Sequence, residues 1–138
     1  MIGFPNNSDY ILVIDCHTST VYTVGGPHIL KSGRHRIPQD GRYKNLGGAL
    51  TLNGRYAYLF PCDAERVLRF DCHMDAIVVV GPCPMDGENK TQNGFAAASD
   101  RCFYGIPQRG VWASCALLRP TRRRETAIKS MSFPATKA

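Results

Sequence analysis

The chain reads as all-β, assembled from repeated four-stranded antiparallel units. Two internal matches and the spacing of its turn residues predict this. Tyr10-Ile-Leu-Val-Ile-Asp15-Cys16-His17 returns 56 residues later as Arg66-Val-Leu-Arg-Phe-Asp71-Cys72-His73. Each copy then runs into Val-Gly, at Val24-Gly25 and Val80-Gly81. A second match carries Lys44 through Pro61 onto Lys90 through Pro107 at an offset of 46, superposing Gly48 on Gly94, Arg55 on Arg101 and Tyr58 on Tyr104. Two matches in consistent order mark a repeat architecture. Thirteen glycines and nine prolines, spread along the chain, punctuate it into short strands.

Taken in order, residues 10–15 and 20–24 read as the third and fourth strands of one unit. A longer loop separates Gly25 from Tyr43. The next unit is complete. Gly48-Ala-Leu-Thr-Leu52 is a short apolar strand, and Asn53-Gly54 is a two-residue hairpin signal, since both residues tolerate positive φ. Arg55-Tyr-Ala-Tyr-Leu-Phe-Pro61 is aromatic-rich, with its proline at the end, where no ladder donor is lost. Cys62 through Glu65 turns the chain. Arg66 through Asp71 alternates polar and apolar, Cys72 through Asp75 turns again, and Ala76-Ile-Val-Val-Val80 closes the unit. Residues 93–97 and 101–107 repeat the first two strands, and Gly110-Val-Trp112 starts a third. After Trp112 the expected Val-Leu-x-x-Asp does not come. The units are therefore about 10–25, 44–81 and 90–112 within a repeat region 1–112, and 113–138 is expected to be a poorly ordered basic tail.

The run from Asn53-Gly54 through Tyr58, Pro61, Ala64 and Val67-Leu68 to Asp71 resembles the Asp-Gly…Tyr…Pro…Ala…Val-Leu…Asp repeats of β-propeller proteins, of the YVTN- and kelch-like kind common in protists. The likeness covers residues 10–112. It departs from the pattern at Asn53, in a first repeat without its front half and in a last repeat that breaks off. It implies about two four-stranded β-propeller-type blades, with the chain starting and ending in mid-blade. Propellers close a ring of four to eight blades, so two need completing by self-association, by a partner or by further flanking repeats. The resemblance implies a protein-interaction or scaffold module rather than an enzyme, with loops 26–43, 62–65 and 82–92 as contact surface. Trp112, Tyr58 and Tyr104 are candidate anchors, core packing being the favoured role of the tyrosines. The alternatives are a fragment of a propeller hydrolase or lyase, using Asp63, Glu65 and Asp71, and a ribonucleoprotein subunit.

Composition narrows the classes. The net charge is +6, but residues before Ser114 carry 11 basic against 10 acidic side chains. The excess belongs to the last stretch, where Arg119, Arg122, Arg123 and Arg124 are candidate contacts for nucleic acid or an acidic partner. No apolar run approaches the roughly 20 residues that span a bilayer, so no membrane partner is expected. The first residues lack a basic-then-apolar leader, which points to the cytoplasm and to six reduced cysteines. No CxxC pair is present. Cys16-His17 and Cys72-His73 carry metal- and nucleophile-type side chains, yet neighbours in a strand point to opposite sides and both pairs fall at turns. Gly25-Gly26 and Gly47-Gly48 lack the Lys-Ser/Thr and the helix of a phosphate loop. No catalytic residue, metal or cofactor is expected.

Overall fold

The computed structural model describes residues 1–32, 41–80, 90–97, 102–108, 115–117 and 129–131. Every regular element among them is a strand: β1 Ile2–Gly3, β2 Ile11–Asp15, β3 Thr20–Val24, β4 Asn45–Leu50, β5 Tyr56–Pro61, β6 Val67–Asp71, β7 Ala76–Val80, β8 Thr91–Ala97, β9 Cys102–Pro107, β10 Cys115–Leu117 and β11 Lys129–Met131. All pair antiparallel. They form a first sheet β1-β2-β3, a central sheet β4-β5-β6-β7, a third sheet β8-β9 and a separate pair β10-β11. The expectation of an all-β, antiparallel chain holds. Among the described residues these sheets do not close on one another.

The central sheet lies between the other two. Its β5 and β6 send Ala57, Leu59, Leu68 and Phe70 into one cluster with Ile11, Val13 and Leu30 from the first sheet and the loop after it. The opposite face sends Ala49, Tyr58, Phe60, Val67 and Val80 into a second cluster with Phe103 of β9. Strict alternation along β5 explains the division, because successive side chains leave opposite faces. Phe60, Leu59, Val67 and Phe70 are completely buried. Such burial stabilises by roughly 2–3 kcal/mol per large side chain.

The internal matches recur in backbone detail. A bulge interrupts β4 between Asn45 and Gly47, and another interrupts β8 between Thr91 and Asn93, 46 residues on. The Lys44 amide donates to the Asn6 carbonyl at 2.8 Å, and the Lys90 amide donates to the Cys62 carbonyl at 3.1 Å. The Lys44 carbonyl accepts from Cys62 as the Lys90 carbonyl accepts from Gln108. One connection thus joins each sheet to the next.

Three strands lie where the sequence pattern places none. The reading that the first unit holds only a third and a fourth strand is corrected by β1, which pairs Ile2 with Val13 and Gly3 with Leu12. At the 56-residue offset Ile2 and Gly3 match Tyr58 and Leu59, so β1 is a second strand, and Phe4-Pro5 falls on Phe60-Pro61. The first sheet therefore has no counterpart only of β4. The pair β10-β11 falls within 113–138, and β10 matches Arg69–Asp71 at the 46-residue offset, the place of a third strand.

Candidate functional site

The hairpin corners that carry the Cys-His pairs are built by carboxylates. Asp15 Oδ1 accepts from the amides of His17 at 2.9 Å and Thr18 at 3.4 Å. Asp71 Oδ1 accepts from His73 at 2.9 Å and Met74 at 3.3 Å. Each turn ends on a residue in the left-handed region, Ser19 at φ 55 and Asp75 at φ 50. The His17 amide, with Thr18 behind it, holds the Asp15 carboxyl below the usual carboxylate range. Burial pushes Asp71 up, but the His73 amide and the Arg55 guanidinium together outweigh it and leave it lowered. Arg55 reaches Asp71 Oδ2 at 3.3 Å. These acids are occupied as turn acceptors.

The thiols beside them do not suit nucleophilic chemistry. Burial, then the neighbouring Asp71 charge, pushes the Cys72 thiol up and keeps it protonated. Cys16 and His17 are exposed on their turn. Asp63 and Glu65 precede β6 and Asp71 ends it, so a strand roughly 15 Å long separates them. These three acids do not converge. Among the described residues no group of three His, Cys, Asp or Glu side chains stands close enough to hold a metal ion.

Two of the predicted contact loops meet. His28, Ile29, Lys31 and Ser32 face Ala64, Glu65, Arg66, Leu68 and Val79 across a groove of about 440 Å³. The groove carries both charge signs. Of the candidate anchors, Tyr58 is a core residue, its ring 4.4 Å from that of Phe103. Tyr104 is half-buried and stacks on Phe95 at 5.2 Å. Trp112, Arg119, Arg122, Arg123 and Arg124 lie outside the described residues, as does most of loop 82–92.

The outer faces of the stack are the most distinctive surface. Leu12 and Ile14 of β2 and Val21 of β3 point away from the central sheet, and Val21 is 64% exposed. On the third sheet, Phe103 and Gly105 face the central sheet, so Tyr104 and Ile106 face outward with Phe95, which is 52% exposed. The repeat reading expects a partial assembly to expose apolar faces carrying Val21, Ile77, Val79 and Phe95, and Val21, Val79 and Phe95 are exposed. Ile77, from the same set, instead packs on the first sheet's cluster. Leu12, Ile14 and Ile106 alternate with the inward-facing Ile11, Val13 and Gly105 along their strands, yet alternation alone does not tell which of two faces is covered. No family model, no curated protein and no solved structure matches this chain. No helix among the described residues is long and apolar enough to cross a membrane.

Proposed function

We propose that this chain is an interaction module of β-propeller type, whose end sheets seat a protein partner. The observation that carries the reading is the exposure of Leu12, Val21, Phe95 and Ile106 at the two ends of a stack whose interior buries the matching Leu68, Ala49 and Phe60 and partly buries Ile77. Repeat units bury a continuous core only against neighbours, and an apolar face left at each end marks where a neighbour belongs. The duplicated bulges, corners and Lys44/Lys90 links support blade-like units that follow one another by a constant operation. Catalysis has no comparable support: Asp15 and Asp71 serve turns, and Asp71 stands a strand length away from Asp63 and Glu65.

The test is dye uptake by the isolated chain, in solution dilute enough to keep single molecules. Such molecules take up ANS, which reports exposed apolar surface, and the double variant Val21→Lys/Phe95→Lys lowers the signal severalfold. Single, folded molecules that bind no ANS cover both faces by themselves, and the module reading falls.

A further inference from the structure

The matching of faces along the stack identifies the partner. Resting on the module reading, we propose that a second copy of this chain docks head to tail, the outer face of the third sheet of one copy on the outer face of the first sheet of the other. In the central sheet, the face toward the first sheet carries Leu68, Phe70 and Ile77. Shifted by 56 residues these are Leu12, Ile14 and Val21, the outer face of the first sheet. The face of the central sheet toward the third carries Ala49, Tyr58 and Phe60. Shifted by 46 residues these are Phe95, Tyr104 and Ile106, the outer face of the third sheet.

Every sheet thus has a front and a back, and inside the chain each front lies on the back of the sheet before it. This happens twice, between first and central sheets and between central and third. The two exposed faces are the one unused back and the one unused front. They belong together by the operation that already built both internal interfaces. Neither set contains a charged side chain, so joining them strands no ion away from water.

A front-on-back contact is heterologous, so it either closes or grows into a filament. Three stacked sheets per copy make six in a pair, within the range of about four to eight units at which radial repeats close.

The experiment is the mass of the full chain in solution by light scattering over a range of concentrations, with two surface variants. Wild type is expected at twice the 15.3 kDa of one chain. Val21→Lys and Phe95→Lys each weaken association by about 100-fold or more, because one bad face spoils both joints of a closed pair. Mixing the two variants restores one of the two joints and so recovers association in part, since the intact third sheet of one meets the intact first sheet of the other. Circular dichroism checks that both stay folded, and Val21→Thr with Phe95→Ser replaces them if they do not.

Association lost in only one of the two variants, with no rescue on mixing, indicates a face meeting its own twin and overturns the proposal. Open-ended growth overturns the closed pair. A wild-type monomer at all concentrations that takes up ANS overturns the second copy and leaves the module reading standing. A wild-type monomer that takes up none removes both.

Discussion

Asp15 and Asp71 set two corners of the molecule by the same chemistry, and their titration gives those corners a pH dependence. Both carboxyls are lowered in the fold, Asp15 by the His17 amide foremost, Asp71 by the His73 amide and Arg55 against the opposing effect of burial. A carboxyl with a lowered folded-state pKa contributes stability above its unfolded value near 4, and the contribution disappears as pH falls through the folded value. The chain should therefore lose stability on acidification below about pH 4. In Asp15→Asn/Asp71→Asn, whose amide oxygens still accept from the turn, urea unfolding should show a shallower acid dependence and little change in corner geometry. Asp71→Ala, which removes the acceptor from the part-buried turn amides, should melt lower than Asp71→Asn at pH 7. Equal acid profiles for wild type and the double Asn variant would show that these carboxyls are not the linked groups. Cys72 follows the opposite direction: its raised thiol should react with iodoacetamide more slowly than the exposed Cys16, measured by mass spectrometry of the labelled peptides.

At the scale of the strand, close packing between sheets is set by glycine on one side and an aromatic ring on the other. A Cβ on Gly94 would stand 2.1 Å from the Phe60 ring, and one on Gly48 would stand 2.9 Å from the Phe4 ring as well as 2.0 Å from the Tyr58 carbonyl oxygen of its own sheet. Gly94→Ala should cost about 1–3 kcal/mol in denaturant unfolding, as overpacking does. Phe60→Ala, which empties the same spot, should cost about 3–5 kcal/mol. The double variant should cost less than the sum, since the small residue relieves the clash; strict additivity would mean the two positions do not touch. The sequence shows β5, β6 and β7 because their alternation and turn residues agree. It misplaces the starts of β4 and β8, expected at Gly48 and Asn93 and found at Asn45 and Thr91. Both are polar residues buried at a bulge: Asn45 Nδ2 donates to the Phe60 carbonyl at 3.1 Å and Thr91 Oγ1 to the Pro61 carbonyl at 2.7 Å. A polar residue shortly before a glycine reads as loop until its partner is known. Two-residue β1 is too short to show a period, and only the Phe4-Pro5 echo of Phe60-Pro61 could have revealed it.

For the molecule as a whole, the repeat offsets told which residues share a role but not which sheets are covered, because coverage depends on neighbours that lie far along the chain. Val21 and Ile77 are equivalent by offset, yet Val21 is at the outside and Ile77 is packed on the first sheet. That difference predicts a gradient of local stability. In stacked repeats each unit is stabilised by its own pairing and by its interfaces, so a unit with two interfaces opens less often than a unit with one. In the central sheet β5 and β6 are covered on both faces and have a strand on each side. Native-state hydrogen exchange on dilute, unassociated chain should therefore show the slowest amides in β5 and β6. The paired amides of β3, an edge strand whose first four residues are exposed, should exchange faster by roughly tenfold for each 1.4 kcal/mol of missing interface. Truncating one interface separates the ends further: Leu59→Ala should speed exchange in the first sheet and leave β8 and β9 nearly unchanged, because Leu59 lies in the cluster shared with the first sheet and not in the one shared with the third. Uniform acceleration across all three sheets would mean that the stack unfolds as one block. Faster exchange in β8 and β9 alone would mean that the two clusters have been assigned to the wrong faces.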